Sequence, residues 1–149
     1  NGFLLFNATI ACCEAIENGG HGIQVQGRCV VSGNRCDSNV ATGTAGIQVF
    51  GVDNRIEGNT CSNNAAGIVL DPSPAGNRLD SNSLTNNQTF GFSIPGANNI
   101  IIRNTAHSNP GGNYAIAAGN AVAPLVAVTG SNNWPAIANS AHAFANFGY

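Results

Sequence analysis

The sequence predicts an all-β solenoid, a parallel β-helix of about five to six coils closed by a C-terminal cap, and three observations carry that expectation. The first is a recurring Gly, apolar, any, apolar motif at Gly22-Ile23-Gln24-Val25, Gly46-Ile47-Gln48-Val49, Gly67-Ile68-Val69-Leu70 and Gly91-Phe92-Ser93-Ile94, with steps of 24, 21 and 24 residues. The second is a pair of Asn residues five apart, Asn34/Asn39, Asn59/Asn64, Asn82/Asn87 and Asn104/Asn109, stepping by 25, 23 and 22. The third is that both series keep one phase, which chance periodicity rarely does. Helical repeats need apolar residues at helical spacing, and leucine-rich repeats need several leucines per coil where this chain has six in all. Three-residue in-out-in strands flanked by Asn, Gly and Ser leave the parallel β-helix.

Taken in order, the first clear coil opens at Gly22, and each coil stacks its short strands on the next about 4.8 Å away. Ile23, Val25, Ile47, Val49, Ile68 and Leu70 are expected to point inward, with Gln24, Gln48, Val69 and Ser93 outward. The glycines mark corners that need positive φ or close approach, and Asn suits both the left-handed corner and an axial hydrogen-bonded stack. Alignment places Asn34, Asn59, Asn82 and Asn104 in one ladder, Val31, Ile56, Leu79 and Ile101 in a second column, and Cys13, Cys36, Cys61, Leu84 and Ala106 in a third. The series continues weakly at Asn113-Tyr114-Ala115-Ile116. Residues 1–117 are therefore the coils, and 118–149 a capping or oligomerisation segment of the same domain. In that segment Ala121 to Val128 is apolar, Gly130 to Asn133 a loop, and Trp134-Pro135 with Phe144, Phe147 and Tyr149 gathers aromatics to cover the last coil. Solenoid ends must be capped or paired, so a homotrimer through this segment is the competing expectation.

Composition narrows the function. Only 8% of residues are charged, against about 25% in ordinary domains. All five basic residues are Arg, and the net charge is −2, so there is no basic stripe for nucleic acid. No apolar run approaches the length that spans a bilayer, so no membrane insertion is expected. Five cysteines cannot all pair, and none sits at zinc spacing. They are expected to be buried thiols packing as small hydrophobes. The absence of Met, and the start at Asn1, are read as a processed piece of a longer protein.

The paired segments Asn54-Arg55-Ile56-Glu57-Gly58-Asn59 and Asn77-Arg78-Leu79-Asp80-Ser81-Asn82 give the pattern N-R-[IL]-x-[GS]-N after each G-I-x-V. With it the chain resembles the right-handed parallel β-helix (pectin-lyase-like) superfamily, in the many-coil form of bacterial secreted β-helix repeat proteins, over about residues 2–117. The superfamily holds lyases, hydrolases, tailspikes and adhesins, so the resemblance implies the fold, secretion or surface display, and no one activity.

Gly20-His21-Gly22-Ile23 resembles the G-H-G-[ILV] motif of polygalacturonases, and Arg55-Ile56 echoes their R-I-K, but Glu57 stands where the Lys would be. The carboxylate motifs of that family are absent, and Glu14 and Glu17 have no matching spacing for paired acid and base. His21 then reads as a loop residue preceding a coil. Pectate lyases hold calcium on acids of adjacent coils and use an Arg base. Here Glu57 and Asp80 share a column, Arg55 and Arg78 stand two positions earlier, and Ser32 and Ile102 flank them. Two carboxylates can share Ca²⁺, or they can pair with their stacked arginines, which is the preferred reading. Asp37, Ser62, Thr85 and His107 share a column in which the Asp and His are too many coils apart to act together. Asp53 and Asp71 are isolated in loops, His142 is a partly buried cap residue, and Thr60 and Thr105 are too interrupted by Arg35 and Ser83 for an ice-binding rank. The expected function is a non-catalytic secreted or surface scaffold, the C-terminal part of a longer protein, with polysaccharide as the partner its weakly charged faces suit and no cofactor beyond a candidate calcium. The alternative is the C-terminal part of a polysaccharide lyase or glycoside hydrolase whose catalytic coils lie upstream.

Overall fold

A computed structural model describes residues 1–127 and 142–149. The first coil is β1 (Phe3–Leu5), β2 (Thr9–Ala11) and β3 (Glu14–Ile16), and the second is β4 (Ile23–Val25), β5 (Val30–Ser32) and β6 (Arg35–Asp37). The third is β7 (Ile47–Val49), β8 (Arg55–Glu57) and β9 (Thr60–Ser62), and the fourth is β10 (Ile68–Leu70), β11 (Arg78–Asp80) and β12 (Ser83–Thr85). The fifth is β13 (Phe90–Ile94), β14 (Ile100–Ile102) and β15 (Thr105–His107). A sixth begins with β16 (Gly112–Ile116) and β17 (Ala121–Val122), followed by β18 (Leu125–Ala127) and β19 (Asn146–Gly148). Every pairing is parallel, and the strands form three sheets, β1-β4-β7-β10-β13-β16, β2-β5-β8-β11-β14-β17, and β3-β6-β9-β12-β15-β19-β18. The described residues contain no helix, so the chain is an all-β parallel solenoid of six coils.

The local rule behind this shape is a three-residue strand, one left-handed residue, then an Asn. Between the second and third sheets the left-handed position is Cys12, Gly33, Gly58, Ser81 and Arg103 in successive coils, with φ of 54–62°. The ladder Asn follows it with ordinary φ, so the left-handed bend and the hydrogen-bonded stack fall on adjacent residues rather than on one. Asn59 is representative. Its Oδ1 accepts the backbone N–H of Asn34 at 2.9 Å and the Nδ2–H of Asn34 at 3.0 Å. Its Nδ2 donates to Val31 O at 2.8 Å and to Asn82 Oδ1 at 3.0 Å. Buried amides are tolerated because no capacity is left over. A second ladder runs Asn18, Asn39, Asn64, Asn87, Asn109, and a third runs Asn54, Asn77, Asn99, Asn120. The third went unread in the sequence, although its steps of 23, 22 and 21 residues carry the same signal.

The inward residues expected from the strand motif form the core: Ile23, Val25, Ile47, Val49 and Ile68 are fully buried and Leu70 nearly so. Gln48 faces outward yet is covered, its Nε2 donating to the Asp71 carboxylate at 2.9 Å. The motif glycines are required by close approach, since a Cβ on Gly67 would stand 2.5 Å from the Gly91 carbonyl oxygen. One coil more than the motif count begins at Gly2-Phe3-Leu4-Leu5, which pairs in register with Ile23–Val25.

Two expectations are corrected. Cys13 does not stack with Cys36 and Cys61, because this first turn is only 21 residues long and Ala15 pairs with Cys36 instead. Cys13 occupies the ladder position, its N–H donating to Asn34 Oδ1 at 2.9 Å. Nor are all the thiols buried: Cys29, Cys36 and Cys61 are, Cys13 is half-buried and Cys12 is exposed at the left-handed corner. In the tail, β19 inserts between β15 and β18, so a strand 42 residues downstream of Asn104 continues its ladder through Asn146. Tyr114, stacked on Phe92 at 5.2 Å, places its hydroxyl 2.8 Å and 2.9 Å from the carbonyl oxygens of Asn104 and Phe147. The expected loop at Gly130 to Asn133 and the covering pair Trp134-Pro135 lie outside the described residues.

Candidate functional site

The second sheet brings the four predicted residues together in register, Arg55 opposite Arg78 and Glu57 opposite Asp80, with Ser32 and Ile102 on either side as expected. In-out-in alternation puts both residues of each pair outward, two positions apart on one strand. Each arginine takes the acid of its own coil: Arg55 Nε donates to Glu57 at 2.6 Å, and Arg78 donates to Asp80 through Nη2 at 2.9 Å and Nε at 3.2 Å.

The two coils differ in a way the sequence reading missed. Arg103, at the left-handed corner of the next coil, folds back onto Asp80, its Nε donating to Oδ1 at 2.7 Å and its Nη2 to Oδ2. Ser81 Oγ adds a bond to Oδ1 at 2.9 Å. Asp80 is thereby enclosed, its side chain only 3% accessible, whereas Glu57 keeps 30%. The Arg103 bond foremost, with Ser81 and Arg78 behind it, holds the Asp80 carboxyl at about 2 against the opposing effect of burial. The pattern N-R-x-x could not reveal this, because Arg103 belongs to a corner rather than to the aligned column. Its guanidinium also lies 5.8 Å from the centroid of the Phe144 ring. Beside it is an apolar depression of about 440 Å³, lined by Arg78, Ile100, Ile102, Val122, His142 and Phe144. His142 is exposed there, not half-buried, its ring edge-on to Phe144.

The remaining candidates are dispersed. His21 accepts the Ala45 N–H on Nδ1 at 3.1 Å, and burial first, then the nearby N-terminus, pulls its imidazole below the usual value. It lies in the loop preceding its coil and ties that loop to the next. Glu14 is an exposed partner of Arg35 at 3.5 Å, and Glu17 sits exposed at another left-handed corner. Asp37, Ser62, Thr85 and His107 do form one outward column of the third sheet. Asp37 is three coils from His107; a bond from Asn63 above all, then Arg35 and Ser38, holds its carboxyl below the usual range. Asp53 takes a left-handed φ of 57°, and Asp71 bonds Gln48 rather than standing isolated.

Among the described residues no three of His, Cys, Asp and Glu gather in one place, and residues 128–141 contain none of those types. A family model described as "Periplasmic copper-binding protein (NosD)" matches residues 6–121, the greater part of the coils. The chain belongs to the NosD family. That membership agrees with the right-handed parallel β-helix superfamily and places the chain among extracytoplasmic proteins, in keeping with the expected secretion or surface display. No curated protein and no solved structure matches the chain.

Proposed function

We propose that this NosD-family chain is a non-catalytic extracytoplasmic scaffold that presents its flat β-helix faces to polysaccharide. The observation that carries this reading is the state of the acids on the outward faces. Asp37, Glu57 and Asp80 are each held by an arginine of their own strand, and Asp80 by a second. Glycoside hydrolysis needs one carboxyl kept protonated near neutral pH and a second that is free to act. Asp80 is driven the other way, to about 2. A calcium shared by Glu57 and Asp80, as in the lyase precedent, would have to displace three guanidinium groups already in hydrogen-bond contact. The alternative of a lyase or hydrolase with its catalytic coils upstream has only Glu17 and Asp53 as unpaired acids in this stretch, each exposed at a left-handed corner and outside the aligned columns.

The copper of the family description calls for thiolate, thioether or imidazole donors. The chain has no Met. Cys36 and Cys61 pair in register inside the core, where burial foremost and the neighbouring Cys36 thiol raise the Cys61 thiol well above its usual value. His21, His107 and His142 each pack against a different ring. The accessible thiols, Cys12 and Cys13, gather no third His, Cys, Asp or Glu among the described residues, so these donors do not fit a copper centre.

The test is retention of the purified chain on a panel of immobilised polysaccharides, with product analysis on the same panel. Retention without release of reducing ends or unsaturated uronate is expected. Turnover that disappears in Glu57→Gln or Asp80→Asn, or retention on nothing, overturns the reading.

A further inference from the structure

The polysaccharide reading leaves open which face binds and what class of chain it takes. The second sheet carries Arg55, Glu57, Arg78 and Asp80, and every one of these side chains is satisfied by another. The third sheet differs. In three successive coils its outward positions are Thr60 and Ser62, Ser83 and Thr85, then Thr105 and His107, all paired in register. Formal charge returns on this face only in the coils below, at Arg35, Asp37 and Glu14, where it is closed into ion pairs. The middle of the face is uncharged.

Thr85 Oγ1 lies 3.0 Å from His107 Nε2, but the hydroxyls of Thr60, Ser62, Ser83 and Thr105 bond no side chain among the described residues. At the upper end the inserted strand β19 leads into Tyr149, whose ring stacks on His107 with centroids 4.5 Å apart and planes 8° off parallel. Tyr149 is 57% exposed, so an aromatic face stands open at the end of the hydroxyl rows. Its position is fixed by the backbone, Ser108 N–H donating to Tyr149 O at 3.2 Å and Tyr149 N–H to Ala106 O at 3.3 Å.

We propose that this third-sheet face binds a neutral polysaccharide laid along the solenoid axis, with the open face of Tyr149, backed by His107, stacking a sugar ring and the Thr/Ser rows meeting successive sugars. The inference rests on the scaffold reading above and names its site and ligand class. Neutrality follows from charge complementarity, since a uronate polymer would bring one carboxylate per sugar to Thr/Ser rows whose one arginine, Arg35 at their foot, is already paired with Asp37 and Glu14. The axial direction follows from the hydroxyl spacing, one pair about every 4.8 Å, comparable to one residue of an extended glycan. Hydroxyl-to-hydroxyl bonds exchange for water at little net gain, so the aromatic end supplies most of the affinity and the rows supply register.

Affinity electrophoresis of the full chain in gels containing hydroxyethylcellulose, xylan or polygalacturonate tests this. Retardation by a neutral polymer is expected, weakened about tenfold in Tyr149→Ala, the size of one lost aromatic contact. Thr60→Glu, an exposed substitution far from β19, is expected to weaken it comparably, which separates binding from any loosening of the C-terminal strand. Arg55→Ala on the second sheet is expected to leave retardation unchanged. Retardation unaltered by both Tyr149→Ala and Thr60→Glu, loss in Arg55→Ala, or preference for polygalacturonate overturns this face while leaving a glycan-binding scaffold standing. Retardation by no polymer overturns both.

Discussion

Asn82 shows how much a single residue carries in this fold. Its Oδ1 accepts the Asn59 N–H at 3.0 Å and its Nδ2 donates to Ile56 O at 2.9 Å, in a setting almost closed to water. Asn82→Ala strands a buried donor and a buried acceptor on the coil below, so a loss of roughly 2–4 kcal/mol is expected by denaturant unfolding. Asn120, at the end of the third ladder and partly exposed, gives the control, and Asn120→Ala is expected to cost about 1 kcal/mol or less. A loss at Asn82 no larger than at Asn120 would mean that the ladder does not hold the coils. Asp80 yields a pH prediction. Its folded carboxyl titrates near 2, below the ordinary 3.8, so it contributes stability that is complete above about pH 4. That contribution is lost as pH falls from about 4 towards 2, and Arg103→Ala should shrink it, as melting temperatures across that range would show. A wild-type and Arg103→Ala difference that stays constant down to pH 2 would sink this account. The Asn columns were legible because a recurring residue at a recurring step is a direct signal. The Asp80 clamp was not, because Arg103 reaches it from a corner, and only the left-handed backbone turns that side chain back.

At the scale of the element, two kinds of glycine look alike in the sequence and do different work. Gly67 has no positive φ, yet a Cβ there would meet the Gly91 carbonyl oxygen at 2.5 Å and Asn87 Nδ2 at 3.1 Å. Gly67→Ala is therefore expected to push adjacent coils apart and lose about 1–3 kcal/mol. Gly58 has φ +62° and no heavy atom closer to a Cβ than 3.9 Å, so the demand there is conformational alone. Gly58→Asn, a residue that accepts the left-handed region, is expected to change stability by less than about 1 kcal/mol. Equal losses at the two sites, measured by thermal unfolding, would refute the distinction. Strand placement was readable from the motif wherever coil length was regular. It slipped at Cys13, where a 21-residue turn shifted the register by two positions and exchanged a core residue for a ladder residue. No period could have announced β19, whose partner β15 lies some 40 residues back, because local repetition holds no information about a strand that returns from the tail.

For the molecule as a whole, each coil touches only its neighbours, so stability spreads along one axis and the ends are its weak points. The upper end is secured by a non-local device. Asn146 Oδ1 accepts the Asn104 N–H at 2.9 Å and Nδ2–H at 3.1 Å, while its own Nδ2 donates to Ile101 O at 3.0 Å and Ala123 O at 3.1 Å. One fully buried side chain thus joins the fifth coil, the sixth coil and the C-terminal strand. Asn146→Ala should release β19 and leave the Asn104 N–H without its acceptor, so opening begins at this end. In native-state hydrogen exchange the amides of Asn104 and Ser108, whose acceptors are Asn146 Oδ1 and Tyr149 O, are expected to lose protection by at least tenfold, matching the net worth of one hydrogen bond of about 1 kcal/mol or more. The Arg35 and Thr60 amides, bonded to Cys13 O and Asn34 O in coils two and three, should keep theirs. That contrast follows from nearest-neighbour coupling, in which a defect at one end decays along the stack. Uniform loss across all coils would instead make the solenoid a single cooperative unit, with the returning strand holding the far end as firmly as its own.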